Sequence, residues 1–451
     1  MKPFGRTVWG GASVLVAMLA VGLLVTGTYS GPASAGTPSV FVSFDDSDFP
    51  FCIQAGFFCA GTGVAATLDK LLVTQPFCSD PRRVVSITSS GNVTVFATLP
   101  PLGVDGCREE YIAISPGLGG FPAGYVYVTQ GPNILKITPD GTSVTPFVTI
   151  PSLGPSHTGI TFDRVGTFGN DMIVTGFDGQ VWRVNSSAGA TLVATVPPVG
   201  NVSSLIEGPE VAPLTFEPYG GHVLVASEST SRVFAVSPSG AVSTVASWPD
   251  AEGVYFISPG GCSFGASNGA FFTVAFPTHI AKFPPSDFTG LGGSALVTSE
   301  GGGGIGLLTS TGGGVTVSTF HPSVGNQEGS AFVQCPEVPV SIDIKPGSFP
   351  NSINLGSGGT VPVAILSSAT FNATTVDPIT VTLASAPVKL KGKGTPMASS
   401  EDVNGDNLLD LVVHVSTDAL QLSEADTQAT LKGQTFSGTS ITGTDTVRVV
   451  P

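Results

Sequence analysis

From Leu71 onward, apolar and polar residues alternate in short stretches, each ending in a cluster of Pro, Ser, Asn, Asp or Gly. A period of two interrupted by turn residues predicts β-strands joined by tight hairpins. The stretches also repeat. Val84-Val85-Ser86-Ile87-Thr88-Ser89-Ser90-Gly91, Ile134-Leu135-Lys136-Ile137-Thr138-Pro139-Asp140-Gly141, Val181-Trp182-Arg183-Val184-Asn185-Ser186-Ser187 and Val233-Phe234-Ala235-Val236-Ser237-Pro238-Ser239-Gly240 each pass from a strand into a turn. A second alternating strand follows, as at residues 93–98 and 242–247. Upstream of each hairpin lies an apolar run that closes on Thr or Ser, at residues 71–74, 125–129, 172–175, 222–227 and 295–299. A further, innermost strand is expected at residues 110–113, 159–162 and 252–256.

Four strands per unit, with units about 50 residues apart, predict an all-β chain built on a β-propeller, because other β architectures do not repeat at that period. The turns at Gly91, Gly141, Gly189 and Gly240 are evenly spaced. Residues 270–320 then read as one ordinary blade carrying residues 280–283 and a compressed one carrying residues 305–309. Six blades fit this spacing best, with five and seven also compatible. Glu328-Gly329-Ser330-Ala331-Phe332 repeats the innermost-strand motif after the last hairpin. It is expected to supply the missing inner strand of the first blade and so close the ring, removing exposed sheet edges.

After Cys335 the period is lost. Residues 336–340 read as a linker, and 361–366, 379–383, 409–415 and 447–450 as strands of a small β-sandwich over residues 341–451. The expected organisation is thus a leader at 1–35, a propeller at 36–335, a linker, and a sandwich. Within the leader, Lys2 and Arg6 precede an apolar run from 13 to 25 and a small-residue Ala33-Ser34-Ala35 site, the pattern of a cleaved secretory signal. The run is too short for a membrane anchor, and no later segment is long enough to span a membrane. The chain is expected outside the cytoplasm: secreted, periplasmic or at the cell surface.

Charge and cysteine content narrow the partners. Only 11% of residues are charged and the net charge is −15, so a phosphate backbone is repelled and nucleic acid is excluded as an electrostatic partner. Six cysteines in an oxidising compartment point to disulfides, which allow 15 pairings. The spacing singles out a local Cys52–Cys59 staple.

Two groups of residues carry candidate chemistry. Asp402-Val403-Asn404-Gly405-Asp406-Asn407-Leu408-Leu409-Asp410 places oxygen side chains at alternate loop positions. Asp402, Asn404, Asp406, the Leu408 carbonyl and Asp410 can converge on one hard cation, with calcium expected. Asn407 stands where an EF-hand has glycine, and no glutamate follows at the twelfth position. Asn tolerates the left-handed conformation required there. The competing reading is an Asx turn that binds nothing. In the propeller, Glu110, His157, Glu207, Glu252 and Glu328 recur at the turns that lead into innermost strands, where a ring of carboxylates can hold a divalent cation or simply form a solvated rim. His157, His222, His279 and His321 fall in different units, with no Ser or Cys motif beside them to support a triad.

Two resemblances follow from these residues. Ile342-Asp343-Ile344-Lys345-Pro346-Gly347, Pro350-Asn351-Ser352-Ile353-Asn354-Leu355, Val361-Pro362-Val363-Ala364-Ile365-Leu366, the Asp402 loop and Thr446-Val447-Arg448-Val449-Val450 together resemble a C-terminal calcium-loop β-sandwich module of secreted bacterial proteins. That resemblance implies an accessory domain without catalytic residues. The blade pattern resembles the six-bladed gluconolactonase-like superfamily in architecture, although none of that group's metal motifs matches residue by residue. Two functions are therefore expected. The first is an extracellular binding or scaffold protein for a small molecule, saccharide or protein. The second is a metal-dependent hydrolase or lyase, lactonase-like, with its site at the propeller channel.

Overall fold

The computed structural model describes residues 38–44, 61–75, 80–101, 109–154, 158–258, 262–276, 279–335, 338–436 and 439–450. The expected signal segment, Cys52, Cys59 and His157 lie outside these residues. The fold is all-β, and among the described residues helix is confined to short 3-10 turns and none is long and apolar enough to cross a membrane.

Among the described residues, six four-stranded sheets lie between Ser39 and Phe332. The first comprises Val64–Ala66, Leu71–Gln75, Arg83–Ile87 and Val93–Thr98; the second Ile112–Ile114, Val126–Gln130, Asn133–Ile137 and Val144–Thr149. The third is built from Gly159–Phe162, Met172–Gly176, Gln180–Val184 and Ala190–Thr195, and the fourth from Glu207–Val211, Val223–Ser227, Arg232–Val236 and Val242–Ser247. Each of these sheets begins with a short inner strand, and the inner strands neighbour one another in sequence around a closed circle. This is a β-propeller.

The repeat in the sequence has its cause in the packing between sheets. Second strands are covered on both faces, so Val223–Ser227 is buried at every position and reads as a continuous apolar run. Outermost strands have a wet face, and no position of Val242–Ser247 is fully buried. Apolar clusters join each sheet to the next: Leu72 with Val128, Tyr127 with Ile160, Ile173 with Val225, Leu224 with Val297. The last sheet joins the first through Phe272, Val42 and Val73.

The ring closes differently from the sequence expectation. The Glu328 segment is an inner strand, Asn326–Phe332, but it belongs to the sixth sheet, paired with Phe271–Phe276 through Phe271↔Phe332 and Thr273↔Ser330. The first sheet already has its own inner strand in Val64–Ala66, three buried residues too short to register as a pattern. Closure comes instead from the N-terminal strand Ser39–Ser43, which pairs with the outer edge of His279–Phe283. Inner strands then meet across the seam, where Gly329 N donates to Thr62 O at 2.8 Å and Gln334 N to Ala66 O at 3.1 Å.

A second correction concerns residues 270–320, which do not form two successive blades. After Ala251–Phe256 opens the fifth sheet, the chain crosses over to build Phe271–Phe276 and His279–Phe283 of the sixth. It returns through Ala295–Ser299, Ile305–Ser310 and Val315–His321 to finish the fifth, and crosses again to Asn326–Phe332. An aromatic seam fills the exchange: Phe271 lies 4.7 Å from Phe332 and Phe288 stacks 5.5 Å from Phe320, centroid to centroid. A Cys262–Cys335 disulfide links the segments flanking the sixth sheet.

Beyond Val338, one sheet contains Val376–Leu383, Gln428–Thr435 and Ser440–Thr446, and another Ile342–Ile344, Thr360–Ile365, Ala398–Glu401 and Asp410–Ser416. Alternate residues of both, among them Ile344, Val363, Val381, Val413, Leu431 and Ile441, form one buried cluster.

Candidate functional site

Five of the six inner strands carry, at or near their start, a Thr or Glu followed by glycine: Thr62-Gly63, Thr158-Gly159, Glu207-Gly208, Glu252-Gly253 and Glu328-Gly329. The glycines mark where the strands crowd together. A Cβ on Gly208 would sit 2.3 Å from Gly253 Cα, and one on Gly329 would sit 2.1 Å from Thr62 O. A Thr near the end of the second strand fixes this crowded level in the first two sheets. Gly63 N donates to Thr74 Oγ1 at 2.8 Å, and Tyr111 N to Thr129 Oγ1 at 2.9 Å.

The second sheet departs from the pattern, with Tyr111 in the glycine position. Its side chain occupies the channel, and its hydroxyl donates to Glu207 Oε2 at 2.8 Å while also contacting Glu252 Oε1. A phenol has one proton to donate. The second contact therefore requires a proton on a carboxyl group.

Burial supplies the reason for that proton. Glu207 and Glu252 are each 2% exposed and Glu328 is 5% exposed. Removal from water, reinforced by mutual repulsion and by Glu109, holds all three carboxyls well above the usual glutamate range. The Glu207 and Glu252 carboxyls also hydrogen-bond to each other. Tyr111 is raised too, by burial first and then by Glu207 and Glu252.

Two further glutamates complete this acidic pole. Carboxylate oxygens of Glu228, Glu252 and Glu300 lie within 4.8 Å of one another. Glu228 and Glu300 were not singled out from sequence, yet each ends a similar run, Leu224-Val225-Ala226-Ser227-Glu228 and Leu296-Val297-Thr298-Ser299-Glu300, which differ only at the third position. That near-repeat was the available signal. Three carboxylates at this separation suit a hard cation with oxygen ligands.

Of the expected channel residues, the structure brings Glu207, Glu252 and Glu328 together but not Glu110. The Glu110 side chain accepts from Gln130 Nε2 at 3.1 Å and pairs with buried Arg82 at 3.4 Å. Burial outweighs the Arg82 charge and raises its pKa to about 7. Glu110 is thus engaged by Arg82 and Gln130 rather than by the other channel carboxyls.

The Asp402 loop is closed by its own side chains. Asp402 Oδ1 accepts from Gly405 N at 2.8 Å and its Oδ2 from Asn407 N at 2.9 Å, while Asp406 Oδ1 accepts from Leu408 N at 2.8 Å. Asn404 Oδ1 accepts from Asp406 N at 3.1 Å. Asn407 has φ +69°, the left-handed geometry expected of it. Asp410 is fully buried and anchors the loop, accepting from Ser367 N at 2.7 Å and Val403 N at 2.9 Å. Among the described residues, the acidic groups whose oxygens gather within 4.8 Å are those of the channel, not of this loop.

No protein-family profile and no curated protein sequence matches the chain. Solved structures do show likeness at low identity. A virginiamycin B lyase from Staphylococcus aureus is 18% identical with a TM-score of 0.35, covering 58% of this chain and 84% of that one. A streptogramin B lyase is 13% identical with a TM-score of 0.37, covering 80% and 94%. An auxiliary nutrient binding protein from Bacteroides ovatus is 13% identical with a TM-score of 0.34, covering 44% and 54%.

Proposed function

We propose that this protein is an extracellular binding protein, a six-bladed propeller followed by a calcium-stabilised β-sandwich, whose acidic channel pole holds a divalent cation through Glu228, Glu252 and Glu300. The observation that carries the reading is the mutual 4.8 Å approach of those three carboxylates beside buried Glu207 and Glu328. So many anions in one low-dielectric place must either stay protonated or share a cation. Calcium, which takes 6–8 oxygens, suits a set that has carboxylates on two sheets and leaves coordination positions for a ligand's hydroxyl or carboxylate groups. An exported location is supported by the basic and apolar N-terminal pattern and by the Cys262–Cys335 disulfide.

A second reading, a metal-dependent hydrolase or lyase, is favoured by one feature. Tyr111 and the Glu207–Glu252 pair place exchangeable protons beside the same carboxylates. Such groups are what proton abstraction next to a metal-polarised carbonyl requires.

The test is calcium titration calorimetry on the full chain carrying Asp402→Ala and Asp406→Ala, which removes the tail loop from the count. One site is expected to remain and to disappear when Glu228→Gln and Glu300→Gln are added. Absence of any remaining site would overturn the cation assignment.

A further inference from the structure

At the opposite ends of the same inner strands the channel widens into a separate cavity of about 100 Å³. On the measure by which a single water needs about 10–15 Å³, this is room for several waters' worth of ligand. Four aromatic side chains from four different sheets line it: Tyr111, Phe162, Tyr255 and Phe332. The walls are fixed before any ligand arrives. Phe162 packs on Phe121 with centroids 5.1 Å apart, Phe332 on Phe271 at 4.7 Å and Tyr255 on Phe271 at 5.7 Å. The Tyr255 hydroxyl accepts from Ser330 N at 3.1 Å.

One carboxyl group shares this aromatic chamber. Glu210 Oε2 accepts from Phe256 N at 2.8 Å, and among the described residues that is its hydrogen-bond donor. Burial raises the Glu210 pKa to about 7, opposed by that hydrogen bond and by the Arg164 charge. Arg164 itself stands exposed at the cavity rim.

We infer that this chamber binds a small organic ammonium ion, alkylated or methylated at nitrogen, with its charge among the aromatic rings and against Glu210. Aromatic faces attract cations through their quadrupole, and they also accept the alkyl groups that a bare metal ion lacks. A metal ion would need several oxygen ligands where the lining offers one carboxylate. The chain's net charge of −15 disfavours an anionic ligand in the same sense. This inference does not depend on the metal proposed for the acidic pole.

Calorimetric titration of the full chain with choline, and with its neutral carbon isostere 3,3-dimethylbutan-1-ol, tests it. Choline is expected to bind with one-to-one stoichiometry, at least tenfold more tightly than the alcohol. Glu210→Gln keeps an acceptor for Phe256 N and removes the cost of ionising a buried carboxyl, so it is expected to melt no lower than the wild type while weakening choline at least tenfold. Arg164→Gln, which removes a competing cation, is expected to tighten it. Equal affinity for choline and the alcohol, undiminished choline binding in Glu210→Gln, or no choline binding would each overturn the assignment. So would choline binding that calcium displaces competitively, because that places the ammonium at the acidic pole.

Discussion

Tyr111 and Glu252 stand at inner strands three places apart around the ring, and the tyrosine hydroxyl joins them across the channel. At this level the fourth and fifth inner strands carry Gly208 and Gly253, and the space beside Gly253 is taken by Tyr255. Tyr111 borders both the acidic pole and the aromatic chamber.

Tyr111→Phe removes the hydroxyl without changing the ring. Glu207 and Glu252 then lose a buried donor, an unmade interaction that costs about 1–3 kcal/mol. A lowered urea midpoint in calcium-free buffer is expected. An unchanged midpoint would mean that the hydroxyl bond contributes nothing net.

Raised carboxyl pKa values make stability fall with pH. Glu110 and Glu210 shift from 4.5 to about 7 on folding, and Glu207, Glu252 and Glu328 also shift upward. The folded chain thus holds more protons than the unfolded one above pH 4.5, so stability is lost as pH rises through that interval. For Glu110 or Glu210 the full loss is about 3 kcal/mol each. Asp140, held at about 2 by Thr138 and Thr142, acts in the opposite sense and at lower pH. The calcium-free melting temperature is expected to fall between about pH 5 and about pH 8, and calcium is expected to restore it at the upper end. A flat or rising profile would show that these carboxyls ionise in the folded chain much as they do when unfolded.

In the tail, calcium at about a hundredfold excess over its dissociation constant should add about 2.7 kcal/mol to the stability of the domain that binds it. Asp402→Ala with Asp406→Ala should abolish that increment. Asp402 also accepts backbone N–H groups of Gly405, Asp406 and Asn407, so the variant is expected to melt lower even without calcium. The calcium-dependent shift, rather than the absolute melting temperature, is the readout.

The Cys262–Cys335 bridge closes a loop with a sequence separation of 73. Chain entropy assigns such a loop about 4 kcal/mol. Cys262→Ser with Cys335→Ser should lower the propeller transition accordingly, and an unaltered melt would locate the stability of the seam in its aromatic packing alone.

Much of the ring was legible because it is made of local signals. Leu72-Val73-Thr74 and Leu296-Val297-Thr298 declare second strands through continuous burial, and Gly91 and Gly240 declare hairpin turns. Sheet membership was not legible. His279–Phe283 has the same alternation whether it belongs to the fifth or the sixth sheet, so the crossover left no mark on its pattern. Val64–Ala66 was hidden by its brevity, and the fate of Glu110 by its distance in sequence from Arg82. Three members of the acidic pole, Glu207, Glu252 and Glu328, were visible as a recurring Glu-Gly. Glu228 and Glu300 were missed because they directly follow second strands, where no channel residue was sought.

The exchange of strands between the last two sheets sets the order in which the molecule can be completed. The fifth cannot finish until the chain has returned from its first crossing, and the sixth waits for the second crossing, needing Asn326–Phe332 and also Ser39–Ser43, supplied from the far end of the sequence. Partial chains ending before Asn326 would carry a gapped circle with bare strand edges. The propeller is therefore expected to assemble as a single all-or-none event only once the chain has been made past Phe332, and an exported chain would reach that moment only after crossing the membrane.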